Sequence, residues 1–246
     1  MDLGIKGKRA AVAAASAGLG LATAKALAAE GVHVAICGRD EAKVKAAAAE
    51  IGAGAVAIVA DVSTTAGAIS FIEQANAALG GIDILIANGG GPPTGTFTST
   101  PLEAYAKAFE SNAMASIAMC QAVIPAMRAQ MWGRVVAITS VVVKQPAAYL
   151  ILSTTARAGL QAFLKTTATE VAPDGVTVNS ALPGSHLTDR IKHLYGEDPD
   201  VSAIPTRALG RPADFGAAVA FLCSDSARYI TGTALAIDGG GYTGLW

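Results

Sequence analysis

The sequence predicts an α/β fold in a single domain, a doubly wound parallel sheet of about seven strands with helices on both faces. Two observations predict it. Short apolar runs alternate along the chain with alanine-rich segments of helical periodicity. No linker and no repeat of domain size interrupts this alternation. We therefore expect residues 1–246 to form one domain, a size that α/β folds often reach.

The chain opens with a strand, a turn of small residues and a helix, all within residues 8–30. The run at 10–14 is typical of a buried parallel strand, and the turn after it carries Ser16, Gly18 and Gly20. Such a turn lets the backbone approach a diphosphate, and the N-terminus of the helix offers free N–H groups. This opening predicts dinucleotide binding.

Six further apolar runs are predicted strands, at residues 32–37, 55–60, 82–87, 134–139, 176–180 and 234–238. Helical patterns lie between them, at about 40–51, 66–79, 101–131, 151–172 and 212–224. In such a sheet, ligands bind at the carboxyl ends of the strands. The irregular segment at 184–211, rich in Pro, Gly, Asp and Thr, is the expected substrate lid.

Composition restricts the partners. Hydrophobic residues make up 52% of the chain and charged residues only 15%, against a usual charged share of about 25%. This indicates a large core and surface hidden against other molecules, such as further subunits. A net charge of −1 and the absence of a long basic run argue against nucleic acid and anionic membranes. The uncharged span 111–127 contains Ser, Asn, Gln and Pro and indicates a buried helix.

The cysteines and the N-terminus indicate a reducing compartment. Cys37, Cys120 and Cys223 are scattered in apolar surroundings, without metal-ligand spacing, and are expected to be free buried thiols. The N-terminal residues contain no apolar stretch of the signal-peptide kind. We expect a cytoplasmic protein that binds no metal.

Motifs at the predicted strand ends carry a family resemblance. They are Asp61-Val62, Asn88-Gly89-Gly90, Asn112, Ser140, Asn179, Pro183-Gly184, Thr188 and Asp238-Gly239-Gly240. In order and spacing they resemble the short-chain dehydrogenase/reductase family over nearly the whole chain. The resemblance implies a Rossmann-like dinucleotide-binding domain and an oxidoreductase that transfers hydride to or from a nicotinamide.

The resemblance also implies which residues bind the cofactor. They are Ala14, Ser16, Gly18, Leu19, Gly20, Arg39, Asp61, Val62, Asn88, Gly89, Arg157, Pro183, Gly184 and Thr188. Where a member that prefers NAD carries an acid after the second strand, this chain has Gly38 followed by Arg39. A small residue and a cation leave room and charge for a 2′-phosphate, so NADP(H) is favoured, with NAD(H) the alternative.

Two departures from the family pattern bear on activity. The opening turn of the family, Thr-Gly-x-x-x-Gly-x-Gly, here begins with Ala13 and Ala14. We expect the Cβ of Ala14 to crowd the turn, which would weaken cofactor binding or reshape the turn. The catalytic Tyr-x-x-x-Lys of the family falls on Ser153 and Arg157. The same register results from counting forward from Ser140 and back through the sixth strand.

The resemblance implies that Ser140 orients the carbonyl, Asn112 supports a water or a helix bend, and Arg157 holds the ribose. Ser153 is a weaker acid than a phenol, and loss of a positioned proton donor costs about 10²–10⁴-fold in rate. Arginine stays protonated and does not relay a proton as lysine can. The proton could instead come from Tyr149, which lies one turn before Ser153 if the helix starts near Pro146.

Two further interpretations stay open. Tyr149 could merely line the substrate pocket, and His186 beside the lid is either a proton donor or a solvated loop residue. The favoured function is NADP(H)-dependent reduction of a ketone or 3-oxoacyl group, or oxidation of the matching secondary alcohol. The alternatives are a non-redox lyase or isomerase on the same fold, and a nucleotide-binding protein without turnover. The apolar helices at 101–131 and 151–172 resemble those through which members of the family form dimers and tetramers, and a monomer would expose the apolar C-terminus ending at Trp246. We therefore expect a homotetramer, with a dimer as second choice.

Overall fold

The computed structural model describes residues 2–245, and its centre is a seven-stranded, wholly parallel sheet. The strands are β1 (Arg9–Val12), β2 (His33–Gly38), β3 (Val56–Val59), β4 (Ile84–Ala87), β5 (Gly133–Ile138), β6 (Val176–Pro183) and β7 (Ala234–Ile237). Their order across the sheet is β3-β2-β1-β4-β5-β6-β7, so the direction of winding reverses between β1 and β4. This reversal is where a doubly wound sheet opens a crevice for ligands.

Residues 2–245 form eight α-helices. They are α1 (Gly18–Ala29), α2 (Glu41–Ile51), α3 (Thr65–Leu79), α4 (Leu102–Phe109), α5 (Ala115–Ala129), α6 (Ile151–Val171), α7 (Asp189–Tyr195) and α8 (Pro212–Leu222). One apolar core joins α1, α2 and α8 to one face of the sheet, and a second joins α3, α5 and α6 to the other. Along β1, Ala10 and Val12 belong to the first core while Ala11 belongs to the second, because successive strand side chains point to opposite faces.

The helices on the first face pack closely. A Cβ on Gly216 of α8 would lie 2.5 Å from the backbone oxygen of Ala22 in α1. The glycine therefore lets the backbones of α1 and α8 approach each other closely on this face of the sheet.

Most predicted elements are confirmed with small changes of boundary. The pattern at 101–131 is α4 and α5, joined by a π-helical turn over Glu110–Met114. The sixth strand runs on to Pro183, beyond its predicted end at 180. The irregular segment at 184–211 contains one short helix, α7, which its composition did not indicate.

The helix predicted at 151–172 is confirmed, and the earlier start near Pro146, on which the hypothesis for Tyr149 depended, is wrong. Helix α6 begins at Ile151, because the residues before it pair with a distant loop. The N–H of Gly95 donates to the oxygen of Tyr149, at 2.9 Å, and Gly95 forms an isolated parallel bridge with Leu150. This pairing holds the backbone out of the helix until residue 151.

Cys37, Cys120 and Cys223 are free and buried, as predicted. Burial raises the pKa of each thiol to about 12, which leaves them inert. Within residues 2–245, no helix combines the length and the apolarity that crossing a bilayer requires. The predicted contribution of Trp246 to an apolar C-terminus lies outside the described residues.

Candidate active site

Two adjoining cavities lie along the carboxyl edge of the sheet. The outer cavity, about 490 Å³, is lined by residues that include Ser16, Arg39 and Asp61. The inner cavity, about 700 Å³, is lined by residues that include Ser140 and Arg157. Both cavities share Ala14, Gly90 and Gly91, so they form one continuous cleft. The predicted site residues line this cleft, with the exception of Asn112.

The turn after β1 forms the floor where the two cavities meet. Ala14 adopts the left-handed conformation, with φ of +46°. The amide of Asn88 donates to the backbone oxygens of Ala13 and Ala14, each at 3.2 Å, and holds the turn in place. A Cβ on Gly20 would lie 2.8 Å from the Ala14 oxygen and 2.8 Å from Asn88 Nδ2, so this position requires glycine. The turn thus accommodates the side chain of Ala14, at the cost of strain in the backbone at this residue.

The N-terminus of α1 opens into the inner cavity at Gly18, Leu19 and Gly20. No side chain caps this helix, so its first N–H groups are available to an anion. Gly18 has φ of +60°, a conformation that glycine adopts without strain. Its nearest neighbour across the cleft is Thr188, whose methyl group would lie 3.7 Å from a Cβ at this position.

The outer cavity combines a small residue with an exposed cation. A Cβ on Gly38 would lie 3.0 Å from the Ser16 hydroxyl, so glycine leaves room for the serine to pack there. Arg39 is exposed at the rim, and Asp61 and Val62 form the opposite wall. Hydrogen bonds from Ser63 hold the pKa of Asp61 below its ordinary range, and the charge of Arg39 lowers it further.

Ser153 and Arg157 lie one helical turn apart on α6 and both line the inner cavity. Arg157 Nη1 donates to Ser153 Oγ at 2.5 Å. Ser153 is buried, and Arg157 is half-buried. Removal from water lowers the pKa of Arg157 to about 10, and the positive charge of Arg190 acts in the same direction. Arg157 therefore remains a cation at neutral pH.

Ser140 and Asn112 occupy different places relative to the cleft. Ser140 lines the inner cavity at the end of β5, where its hydroxyl accepts from the N–H of Val142 at 3.3 Å and begins a short 3₁₀ turn. Asn112 lies buried in the π-helical turn and donates to Ser111 Oγ at 2.8 Å. Among the described residues, no group bonds its Oδ1. Asn112 is thus part of the helix bend and holds a buried acceptor that a water would satisfy.

Tyr149 lines the inner cavity from the loop before α6. The expected position one helical turn before Ser153 is wrong, because α6 starts only at Ile151. The phenol of Tyr149 lies 2.6 Å from the phenol of Tyr195 on α7, so it bridges to the 184–211 segment. Burial raises the pKa of Tyr195 to about 12, and the bond with Tyr149 adds to this shift.

The residues at the end of β6 pack tightly under the 184–211 segment. A Cβ on Gly184 would lie 2.8 Å from the Cα of Asp238, so Pro183 and Gly184 run directly beside the end of β7. His186 is buried, and the expectation of a solvated histidine is wrong. Its ring meets Phe215 edge-on at 5.2 Å, and burial lowers its pKa, so it is neutral at pH 7.

Among the cavity residues that sequence reasoning missed are Arg190 and Tyr195. Both lie on α7, within a segment whose composition indicated only a loop. The charge of Arg190 and the aromatic ring of Tyr195 are visible in the sequence, but the direction they face depends on how α7 folds back over the cleft.

The residues present fit an NADP-type dinucleotide. The uncapped N-terminus of α1, where Gly18 adds no side chain, suits a diphosphate. Arg39 suits a 2′-phosphate, and no ion pair joins it to another described residue. At the other end of the cleft, the guanidinium of Arg157 has N–H donors that its one bond to Ser153 leaves available to sugar hydroxyls.

Known proteins that are similar to this chain agree with the interpretation of the cleft as a dinucleotide site. A protein-family model described as enoyl-(acyl carrier protein) reductase matches residues 13–243. The chain is 32% identical over 204 residues to an L-rhamnose 1-dehydrogenase (NAD(P)(+)) of Sphingomonas sp. (strain SKA58), with 79% of each chain covered. It is 34% identical over 242 residues to the 3-oxoacyl-(acyl-carrier-protein) reductase FabG of Escherichia coli (strain K12), covering 98% of this chain and 99% of the relative.

The structure also resembles a solved one closely. The crystal structure of L-sorbose reductase from Gluconobacter frateurii, complexed with NADPH and L-sorbose, superposes with a TM-score of 0.92. The two sequences are 31% identical, and the match covers 100% of both chains.

Proposed function

The chain belongs to the short-chain dehydrogenase/reductase family, and on that premise we propose that it uses NADPH to reduce a ketone or 3-oxoacyl group, or oxidises the matching secondary alcohol. It is an NAD(P)-dependent oxidoreductase. The observation that carries the proposal is the continuous cleft, with Arg39 at one end and Ser140, Ser153 and Arg157 at the other.

We assign the length of the cleft to the cofactor. Arg39 would pair with the 2′-phosphate, and Asp61 and Val62 would face the adenine. The turn at Ala14, Ser16, Gly18, Leu19 and Gly20 would bind the diphosphate together with Thr188. The nicotinamide end would lie between Asn88-Gly89 and Pro183-Gly184. When bound there, the nicotinamide supplies or accepts the hydride at the substrate carbon.

The proton on the substrate oxygen is the task of this chain's own residues. Because Arg157 donates to Ser153 Oγ, the hydroxyl hydrogen of Ser153 is directed away from Arg157. A carbonyl oxygen in the inner cavity would accept it, with Ser140 as a second donor. A positive guanidinium beside the hydroxyl also stabilises negative charge that develops on the substrate oxygen. Turnover is expected to be slow, since an alkyl hydroxyl is a weaker acid than the phenol of the family pattern.

Two other functions are candidates. One is a nucleotide-binding protein without turnover, and the other is a non-redox lyase or isomerase that uses Ser140 as a hydrogen-bond donor. The replacement of the family's Tyr and Lys by Ser153 and Arg157 favours both. Retention of Ser140 at the cavity wall and of Asn112 in the helix bend favours the oxidoreductase.

Titration of nicotinamide fluorescence tests the proposal first. We expect NADPH to bind more tightly than NADH, and Arg39→Ala to weaken NADPH about 10-fold while NADH changes little, since one charge-assisted contact is lost. Lys43→Ala, on the exposed first turn of α2, is the control. A panel of ketones with NADPH then separates a reductase from the other candidates. Absence of binding by either nucleotide would refute the assignment.

We further propose that the 184–211 segment is the substrate lid, that the protein works in the cytoplasm, and that it assembles as a homotetramer, with a dimer as second choice. Large apolar side chains are exposed on and beside α4 and α5, among them Phe97, Leu102 and Met114. Light scattering after gel filtration tests the assembly. Leu102→Asp with Met114→Asp should yield a smaller species, whereas Ile69→Asp on α3 should not.

A further inference from the structure

The inner cavity is unusually rich in hydrogen-bond donors. Two guanidinium groups, Arg157 and Arg190, line it together with the phenols of Tyr149 and Tyr195 and the hydroxyl of Ser153. The phenols bond each other and Ser153 accepts from Arg157, so these contacts use little of the donor capacity of the two arginines. A guanidinium offers five N–H donors and no acceptor.

Arg190 is fixed at this wall. Its Nη2 donates to the backbone oxygen of Pro92 at 3.0 Å. A Cβ on Gly91 would lie 3.2 Å from the same nitrogen, so the guanidinium rests on the loop after β4. The side chain thus reaches from α7 across the rim of the inner cavity, with the rest of its donor edge uncommitted.

The two arginines act on each other without a counter-ion. Both line the same cavity, and the pKa of Arg157 is lowered mainly by burial and further by the positive charge of Arg190. Two acids, Asp189 and Asp238, also line the cavity. The carboxylate of Asp238 accepts from the N–H groups of Gly240 and Tyr242, at 3.0 and 2.7 Å.

Asp189 lies in the first turn of α7, where a carboxylate complements the helix dipole. Among residues 2–245, no ion pair joins an acid to Arg157 or Arg190. Like charges held together at the edge of a cavity are costly unless an anion enters.

We infer that the substrate carries an anionic group, a carboxylate or a phosphate, close to the carbonyl that is reduced, and that Arg190 binds this group with support from Arg157. The inference rests on the proposed function and names the substrate class of the same site. Arg157 has enough donors to hold a ribose hydroxyl, Ser153 and one oxygen of an anion at the same time. Arg190 is then a specificity-determining residue.

Matched substrate pairs test the inference. Acetoacetate and methyl acetoacetate differ in the carboxylate, and dihydroxyacetone phosphate and dihydroxyacetone differ in the phosphate. With NADPH saturating, we expect kcat/KM to favour one anionic member over its neutral partner by about 10- to 100-fold, the range for a charge-assisted contact. The pair that shows the preference tells carboxylate from phosphate.

Variants on α7 assign the preference to Arg190. Arg190→Met should bring the ratio of anionic to neutral substrate close to one, and Arg190→Lys should restore part of it. Lys192→Met removes a positive charge from the same helix, but this lysine is paired with Glu197 and does not line the cavity, so the ratio should stay at its wild-type value.

A binding measurement covers the case in which turnover is too slow to compare. Calorimetry with malonate, and separately with inorganic phosphate, in the presence of NADP⁺ should show binding of one anion that Arg190→Met weakens about 10-fold. The inference is overturned if neither anion binds and neither pair shows a preference. It is also overturned if Arg190→Met weakens the binding of NADPH while the ratio of kcat/KM for anionic and neutral substrates stays unchanged, because the two arginines would then bind the cofactor phosphates. The proposed function fails separately, if no pyridine nucleotide binds.

Discussion

At the scale of single residues, the proposed function gives the pair Ser153 and Arg157 the task of delivering a proton to the substrate. Their hydrogen bond of 2.5 Å couples a weak acid to a fixed cation, where the family pattern has a phenol beside a lysine. The cation helps to stabilise a developing alkoxide, but it does not make an alkyl hydroxyl a strong acid. On the proposed function, we therefore expect binding and orientation to be retained and proton transfer to be the weakened step.

The double variant Ser153→Tyr with Arg157→Lys restores the family pair and should raise kcat for a ketone by about 10- to 100-fold, part of the range for general acid catalysis. The inner cavity, about 700 Å³, adjoins Ser153 and leaves space for the ring. Arg157→Lys alone is the control, since it changes the cation without supplying the phenol. Steady-state kinetics with saturating NADPH measure the effect, and an unchanged kcat would contradict this account of the proton.

Ala14 shows strain at a single residue. A non-glycine residue in the left-handed region costs about 1–2 kcal/mol, and Ala14 has φ of +46°. Ala14→Gly should therefore raise the free energy of unfolding by about 1 kcal/mol and the melting temperature by about 2–4 °C. Ala15→Gly, at a buried neighbour without positive φ, is expected to destabilise by about 0.5–1 kcal/mol. Urea unfolding of the wild type and of both variants measures these free energies. A loss of stability in Ala14→Gly would count against backbone strain at Ala14.

At the scale of elements, the placement of α7 changes the meaning of the residues around it. The phenol bond between Tyr149 and Tyr195, and the bond from Arg190 to Pro92, both join the 184–211 segment to loops at the carboxyl edge. Tyr149, a candidate proton donor from the sequence, also joins two elements through its bond with Tyr195. The same contacts put α7 over the inner cavity, where a lid would act.

Tyr149→Phe and Tyr195→Phe separate the two roles of Tyr149. Each variant removes the same phenol bond, so a purely structural role predicts equal and small changes in kcat/KM. We expect this result, because Tyr149 is 42% exposed and its hydroxyl is already paired. If Tyr149 supplies the proton, only Tyr149→Phe should lower kcat, by about 10²-fold or more.

At the scale of the whole molecule, the parallel sheet brings the carboxyl ends of its seven strands to one edge, where the cleft lies. At the opposite edge, hydrogen bonds between side chains join neighbouring elements and stabilise the fold. Asp83, buried just before β4, accepts from Arg9 Nη2 at 2.7 Å and from Gln130 at 3.1 Å. Burial alone would raise the pKa of Asp83, but the hydrogen bonds from Arg9 and Gln130 outweigh it and hold the pKa below its ordinary range.

This shift makes stability depend on pH. A depressed pKa in the folded state contributes stability above the unfolded value of about 3.9, and the contribution disappears as the pH falls through the folded value. Asp83→Asn should cost about 1.5–3 kcal/mol at pH 7, the range for charged hydrogen bonds, and much less near pH 3. Urea unfolding at both pH values tests this. Glu73→Gln, on the exposed side of α3, is the control and should show the same free energy of unfolding as the wild type at both pH values. If Asp83→Asn lost as much stability at pH 3 as at pH 7, the stability would not be linked to the ionisation of Asp83.

Much of the structure of this protein could be predicted from the sequence alone. Hydrophobic periodicity gave the parallel sheet and nearly every helix, because strands buried on both faces need apolar runs and helices need one apolar face. Small residues at the opening turn predicted dinucleotide binding at this edge of the sheet. These features depend on neighbours in the chain, so they can be deduced without the fold, whereas the register of Ser153 and Arg157 came from the resemblance to the family.

Tertiary structure decided what depends on residues distant in sequence. The residues before Ile151 pair with Gly95, the phenol of Tyr149 bonds Tyr195 in the 184–211 segment, and His186 is buried against Phe215. The bond from Arg190 to the backbone of Pro92 has the same origin. Each is a contact between segments that no local periodicity links, and its energy exists only once the sheet has brought those segments together.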